Sequence, residues 1–222
     1  MTDIKKRFNL KDIKETFLSF PLYIITSPFK GFDDMKFLKK GDMRYAVTIL
    51  MLAGLVALIR VAYTGFIVTG FWQATPFVNV PSILIFTYSP ILLFCVANWS
   101  ITTLTDGKGS IKEIFLAYTH AMFPMVICTI IGIILSNVVT GNEVAFARFF
   151  FQLGIILQYA YLFIGLIMIH EYTFLKAVGM VILTILSMLI ITFVFALFFS
   201  LANNVYWFIR TAFDELSAHV LS

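Results

Sequence analysis

Residues 106–110 read DGKGS, and glycine, lysine and serine are residue types that bind phosphate when they precede a helix. A phosphate-binding loop needs the spacing G-x-x-x-x-G-K-[S/T] after a hydrophobic strand, because successive backbone N–H groups must wrap the phosphates. Thr102 stands where the first glycine is needed, and Gly109 follows Lys108 where a serine or threonine is needed. The stretch therefore does not predict a nucleotide site.

The same stretch is typical of a short turn between two helices. Asp106 followed by Gly107 favours a bend with positive φ, and Ser110 can cap the helix that follows. Glu113 stands at the third position after Ser110, which completes a capping box. We interpret the turn as a candidate interaction loop with five members: Asp106, Gly107, Lys108, Gly109 and Ser110.

The sequence HEYTF at residues 170–174 is an incomplete metalloprotease motif. The motif H-E-x-x-H binds zinc through two histidines one helical turn apart, and here Phe174 replaces the second histidine.

The two cysteines, Cys95 and Cys128, are predicted to lie at different depths in the membrane, so neither a disulfide nor a metal pair is expected. No catalytic, cofactor-binding or metal-binding site is predicted.

Polar residues inside apolar segments are the remaining candidates for chemistry. Four of them make up a candidate intramembrane polar cluster: Asn98, His120, Gln158 and Glu171. Ionisable groups in a membrane are expensive and often functional, so a proton or solute path is one interpretation. Hydrogen bonding between helices is the commoner role of isolated polar residues, and we favour it here. Arg60, near the end of the first apolar segment, is expected to extend to the lipid head groups.

Composition predicts the elements that position these residues. The chain has 222 residues, of which 60% are hydrophobic and only 13% charged, and its mean hydropathy is +0.95. A soluble domain has about a quarter of its residues charged, and a helix needs about 20 apolar residues to cross a bilayer. The sequence predicts an all-α polytopic membrane protein with five transmembrane helices, at about 45–71, 81–104, 111–139, 143–170 and 174–201.

The distribution of Lys and Arg predicts how the spans are oriented. Ten of the 16 Lys and Arg lie in residues 1–44, and the second and fourth connections carry Lys108, Lys112 and Lys176. The first and third connections carry none. Because basic loops stay on the cytoplasmic side, we expect a cytoplasmic N-terminus and a C-terminus on the far side. No basic stripe with interleaved aromatic residues is present, so a nucleic-acid partner is not expected.

The two termini are predicted to be amphipathic. Residues 1–43 form a basic cytosolic arm in this interpretation, with a helix that lies in the membrane interface or packs on the spans. Its apolar positions are Phe8, Ile13, Phe17 and Phe20, before Pro21. Residues 203–222 are predicted to be a tail on the non-cytoplasmic face, anchored at the head groups by Tyr206, Trp207 and Phe208.

Three stretches carry a resemblance: SPFKGFDDMKFLKKGD before the first span, VANWSITTLTDGKGSIKEIF across the second connection, and AYTHAMFP in the third span. Their Pro-x-x-x-Phe segment, Asp-Gly-x-Gly turn and intramembrane proline resemble the Yip family of Ypt/Rab-interacting membrane proteins, over about residues 27–200. The resemblance implies a non-enzymatic protein similar to compact bacterial members, some of which are associated with ABC importers for complex carbohydrates. Eukaryotic members bind small GTPases through a long cytosolic region, and with about 43 residues before the first span no small-GTPase partner is expected.

These observations favour a non-enzymatic accessory or scaffold subunit in a bacterial plasma membrane. The expected partners are the lipid bilayer and another membrane complex, such as the permease subunits of an ABC importer. One alternative is a small transporter or channel whose path is lined by the polar cluster. Another is a membrane-trafficking or membrane-shaping scaffold that acts through the two amphipathic termini.

Overall fold

The computed structural model describes residues 16, 19–69, 78–105 and 107–220, with side chains up to residue 215. Its helices are α1 (Phe20–Thr26), α2 (Pro28–Phe37), α3 (Met43–Tyr63), α4 (Phe66–Thr69), α5 (Val80–Leu104), α6 (Ile111–Ser136), α7 (Val144–His170) and α8 (Phe174–Val220), with a 3₁₀ turn at Gly141–Glu143 before α7. Five of them (α3, α5, α6, α7 and α8) are long and apolar enough to cross a membrane. The predicted all-α fold with five spans is therefore confirmed. The predicted interfacial helix through Phe8, Ile13 and Phe17 lies outside the described residues.

Local side-chain bonds set where the spans begin. At the start of α3, the Asp42 carboxylate accepts a hydrogen bond from the backbone N–H of Arg44 at 2.8 Å. At the start of α5, the side-chain oxygen of Asn79 accepts from the backbone N–H of Ser82 at 3.1 Å. Such caps satisfy N–H groups that have no partner within the helix, so both starts are encoded in a few neighbouring residues.

The first span is shorter than the sequence predicts. The sequence predicts a span up to about residue 71, but α3 ends at Tyr63. The chain then turns at Gly65, whose N–H donates to the Ser136 hydroxyl at 2.9 Å. A Cβ at Gly65 would lie 1.9 Å from the Ser136 carbonyl oxygen. This close approach to the end of α6 needs a glycine, and it is where the chain leaves the first span.

The fifth span is longer than the sequence predicts. We predict an end near residue 201 and a separate tail over residues 203–222, whereas α8 continues as one helix to Val220. Residues 180–220 contain neither glycine nor proline. With no residue to break the hydrogen-bond ladder, the aromatic residues of the tail extend the span instead of forming a separate element.

α6 is the centre of the bundle. Its spanning stretch is 67% buried, against 6% for that of α8. α6 packs most extensively on α7, where a Cβ at Gly154 would lie 3.0 Å from the Cβ of Cys128. α8 packs mainly on α5, through the buried residues Ala177, Met180 and Thr184 near its own start. Most of α8 therefore contributes nothing to the core of this chain.

The two ends of the bundle carry different features and are named here for them. The loop end carries α2, the connection at residues 105–110 and the connection at residues 171–173. The opposite end carries α4 and the connection between α6 and α7. At the opposite end the Asn137 side-chain amide donates to the Tyr63 carbonyl at 2.8 Å, which joins α6 to the end of α3.

Candidate functional site

The candidate interaction loop closes α5 and starts α6 at the loop end. The Gly107 N–H donates to the Thr102 carbonyl at 2.7 Å, which ends α5. Ser110 and Glu113 form the predicted capping box: the Ser110 hydroxyl accepts from the Glu113 N–H, and the Glu113 carboxylate accepts from the Ser110 N–H at 2.8 Å. The predicted cap is confirmed for Ser110 and Glu113, whereas the positive φ predicted at the bend of Asp106 and Gly107 stays a prediction. Asp106 lies outside the described residues.

The two glycines of the loop are required by close contacts with α7 and the residue that follows it. A Cβ at Gly107 would lie 2.5 Å from the Tyr172 hydroxyl. A Cβ at Gly109 would lie 2.5 Å from Ile169 Cγ2 and 2.6 Å from His170 Cε1. Any larger residue would push the loop away from these side chains, so the glycines hold the 105–110 connection against the end of α7.

A chain of four hydrogen bonds runs from the loop to α8. The Gly109 N–H donates to His170 Nδ1 at 3.2 Å, so the proton of the neutral ring lies on Nε2. His170 Nε2–H then donates to Asn98 Oδ1 at 3.2 Å. The Asn98 amide donates to the Thr184 hydroxyl at 3.0 Å, which donates to the Met180 carbonyl at 2.8 Å. This buried network connects the loop, α7, α5 and α8, and each member has the partner that it needs.

Glu171 joins three elements through charge. Its carboxylate contacts Lys36 Nζ of α2 at 2.6 Å, and it also contacts Lys108 Nζ of the loop. Hydrogen bonds from Lys108 and Lys36 lower the pKa of Glu171 to about 2. The Lys36 side chain is only 10% exposed, so it needs this carboxylate as a partner. Glu171 itself caps α7 with φ of 55°, in the left-handed region.

The structure places the four members of the predicted polar cluster in three separate regions. Asn98 pairs with His170 in the network above, and Glu171 lies at the loop-end surface. His120 Nδ1 bonds the Leu116 carbonyl at 2.7 Å on its own helix. Gln158 is buried near the middle of α7, where it lines a cavity. Over the described ranges no hydrogen bond connects Asn98, His120, Gln158 and Glu171 with one another.

Sequence reasoning did not identify the partners of His120. Its ring lies 4.4 Å, centroid to centroid, from that of Tyr45 on α3 and 5.6 Å from that of Phe20 on α1. Among the described residues, its Nε2 has no hydrogen-bond partner. The ring thus serves mainly as a flat packing surface between α6, α3 and α1. No local sequence pattern pairs His120 with these rings, because Phe20 and Tyr45 lie far from it in the sequence and on other helices.

The outer surface of the loop end is basic and apolar. The exposed side chains beside the loop include, besides Glu171, the residues Leu104, Lys108, Ile111, Lys112, Phe174, Leu175 and Lys176. Lys176 Nζ lies 4.7 Å from the centre of the Tyr172 ring, a cation–π contact that holds the start of α8 near the loop. Across the described part of the chain, no three His, Cys, Asp or Glu side chains lie close enough to hold a metal ion. The arrangement is therefore suited to binding a macromolecule or the membrane surface.

A comparison with protein-family models identifies the chain. The model of the Yip1 domain matches residues 22–212, which include all five spans, both connections of the loop end and the predicted interaction loop. No curated protein and no solved structure gives a significant match. Since the matched region covers most of the 222 residues, and since the five spans and the Asp-Gly-x-Gly turn agree with the predicted resemblance, the chain is an integral membrane protein of the Yip1 domain family.

Proposed function

We propose that the chain is a non-enzymatic membrane subunit that assembles with another integral membrane complex. The observation that carries the proposal is the length of apolar helix that the chain leaves uncovered. α8 has 47 residues. That is about 70 Å at 1.5 Å per residue, whereas the hydrocarbon core of a bilayer is about 30 Å thick.

Tilting α8 in the membrane does not absorb the excess length. At a tilt of about 40°, the upper end of the usual range, a helix crosses the hydrocarbon with about 26 residues. Counted from Phe174, that length ends near residue 200. Beyond it lie large apolar side chains that are at least half exposed: Leu201, Val205, Tyr206, Trp207, Phe208, Ile209 and Phe213. Burial of this surface against a second protein would stabilise it, because apolar area removed from water is favourable.

The predicted orientation is part of the proposal. With the loop end in the cytoplasm, Lys108, Lys112 and Lys176 lie on the side where basic connections are retained. Leu104 and Leu175 are more than 80% exposed beside them. In a partner with a membrane part and a cytoplasmic part, the membrane part would cover α8, and the cytoplasmic part would contact the candidate interaction loop.

The partner to test first is the permease of an ABC importer for complex carbohydrates in a bacterial plasma membrane. This choice rests on the compact bacterial Yip proteins that the sequence resembles. The test is affinity purification of the tagged full chain from its own membranes in mild detergent, followed by mass spectrometry of the co-eluting proteins. We expect permease or ATPase subunits in a fixed ratio to the chain.

A matched pair of shortened chains makes the test specific for α8. A chain that ends at Leu201 lacks the outer apolar residues of α8 and should lose the partner. A chain that ends at Glu215 keeps them and should recover the partner as the full chain does. Equal recovery by both shortened chains would contradict the role of α8. Elution of the full chain alone would contradict the assembly proposal and favour the alternative of a small transporter or channel.

A further inference from the structure

A cavity of about 790 Å³ lies toward the opposite end of the bundle, between α3, α5, α6 and α7. Its inner wall includes Met122 and Val126 of α6, which are 2% and 1% exposed. Its rim includes Val61 of α3 and Phe86 of α5, which are 52% and 76% exposed. The cavity therefore extends from the core to the lateral surface of the bundle, where acyl chains lie in a membrane. Its volume is within the range of small-molecule sites, about 300–1,000 Å³.

Two arginines line this cavity. The Arg60 guanidinium of α3 lies 4.6 Å from the centre of the Phe151 ring. Arg148 Nη2 of α7 donates to the Val68 carbonyl of α4 at 3.1 Å. Arg148 and Phe151 are three residues apart on α7 and share one face of that helix. Arg60 therefore contacts the face of α7 that also carries Arg148.

No carboxylate neutralises these arginines within the described part of the chain. The described residues that line the cavity include no Asp or Glu, and neither Arg60 nor Arg148 forms an ion pair there. Glu143, at the same end of the bundle, accepts bonds from the N–H and hydroxyl of Thr140. Residues 70–77, which follow α4, contain no acidic residue in the sequence. Two guanidinium groups without a described carboxylate beside them leave a positive potential that an anion can neutralise.

The depth of the arginines agrees with the level of lipid head groups. Arg60 is three residues from the end of α3 and Arg148 is four residues from the start of α7. Each therefore lies about 5–6 Å inside the end of its span. Gln158 lies ten residues beyond Arg148 on α7, about 15 Å deeper, beside the buried Tyr118 of α6. The cavity is thus cationic at its outer end and mostly apolar toward its lateral opening.

We propose that the cavity binds the phosphate head group of an anionic membrane amphiphile. Arg60 and Arg148 hold the phosphate, since a guanidinium group donates two parallel hydrogen bonds to a phosphate and keeps its charge at the edge of the membrane. The acyl chain leaves the cavity between α3 and α5, past Val61 and Phe86. The ligand supplies an anion, which the described residues do not place beside these arginines.

The experiment uses the full chain, purified in a neutral detergent and stripped of native lipid. Retained lipid is counted by native mass spectrometry after addition of phosphatidylglycerol or of phosphatidylcholine with the same acyl chains. We expect the wild type to retain phosphatidylglycerol preferentially. The double variant Arg60→Gln/Arg148→Gln should bind it at least about tenfold more weakly, because each lost hydrogen bond to a charged group is worth roughly that factor.

Three further samples keep the result interpretable. The double variant Lys112→Gln/Lys176→Gln removes the same net charge at the loop end and should keep the preference. Arg60→Lys/Arg148→Lys keeps the charge and should retain part of it. Ala57→Phe fills the cavity without altering either arginine and should weaken binding of phosphatidylglycerol.

Three outcomes would overturn the proposal. The first is equal retention of the two lipids by the wild type. The second is an unchanged preference in Arg60→Gln/Arg148→Gln, or an equal loss in Lys112→Gln/Lys176→Gln. The third is thermal stabilisation of the wild type by inorganic phosphate alone that equals the effect of phosphatidylglycerol, since the site would then bind a free anion and no amphiphile.

Discussion

At the loop end, two lysines share one carboxylate: Lys36 and Lys108 both contact Glu171. At the opposite end, Arg60 and Arg148 line one cavity whose described residues include no carboxylate. Each of these two groups consists of two cationic side chains, but their electrostatic surroundings differ. The lysine pair is neutralised by a carboxylate of the chain, whereas the arginine pair has no such partner among the described residues and stays available to an anion from outside.

Charge at the loop end serves to hold the structure together, whereas charge at the opposite end is available for binding. A carboxylate supplied by the chain fixes the positions of α2, the loop and the end of α7 relative to one another. A missing carboxylate leaves a positive potential that an external ligand can neutralise. The four predictions that follow test the packing of the loop end and this distinction in the use of charge, from the largest expected effect to the smallest.

Asn98→Ala should have the largest effect, because the loop end depends on its buried network. The substitution leaves the Nε2–H of His170 buried without an acceptor and removes the donor to Thr184. We expect the free energy of unfolding to fall by about 3 kcal/mol, measured by thermal unfolding in detergent. Ser100→Ala removes only a bond to the Val96 carbonyl on the same helix and is the control. Equal effects of the two substitutions would show that the network is not important for stability.

Gly109→Ala should have the next largest effect. Its Cβ would overlap Ile169 and His170, and the loop would have to move away from α7. The expected loss of stability is about 1–3 kcal/mol. Gly141→Ala, whose Cβ would have no heavy atom within 4 Å, should change stability by less than about 0.5 kcal/mol. A tolerated alanine at position 109 would contradict the close packing of the loop.

Gln152→Glu would add a carboxylate to the cavity, whose described lining residues include none. Gln152 lines the cavity one helical turn after Arg148, so a glutamate there can pair with that arginine. We expect binding of phosphatidylglycerol to weaken about tenfold, because Arg148 would already be paired with the new glutamate and would gain less from a phosphate. Gln152→Ala removes the amide without adding charge and should leave the lipid preference in place. A glutamate variant that binds as the wild type does would contradict the proposed role of Arg148.

Glu171→Gln should have the smallest effect, because this ion pair is partly exposed. It should lower the melting temperature by more than Asp34→Asn, which breaks a more exposed pair with Lys40. The pKa of Glu171 is lowered from 4.5 to about 2 by its two lysines. The stabilisation is therefore fully present above pH 4.5 and is lost as the pH falls through about 2. The difference in melting temperature between wild type and Glu171→Gln should close over that interval, and a constant difference would contradict the assignment.

Local features of the fold could be predicted from the sequence. The capping box of Ser110 and Glu113 depends on residues three positions apart, and the spans depend on continuous apolar segments. Each of these signals lies within one helix or one turn, so contacts with other helices do not alter the structure that it predicts. The end of the fifth span was harder to predict because Asn203 and Asn204 look like a boundary, whereas the backbone has no breaker there and α8 continues.

Contacts between helices could not be predicted in the same way. Counting residues gives the height of a side chain along a span but not the direction in which it points. Asn98 and His120 are members of the same predicted cluster, yet Asn98 bonds His170, and His120 faces Tyr45. The expectation that Arg60 extends to the head groups gives its height but not its contact with Phe151 at the cavity. That Arg60 and Arg148 line one cavity depends on which faces of α3 and α7 are turned toward it.

In the chain of hydrogen bonds that includes His170, each residue donates to the next one, from the Gly109 N–H to the Met180 carbonyl. The ring nitrogens of His170 should therefore give distinct nitrogen-15 resonances, one protonated and one not. Displacement of the loop by a bound protein would release Nδ1 and change both chemical shifts. A single isotope-labelled histidine can thus act as an internal spectroscopic reporter of what happens on the surface of the molecule.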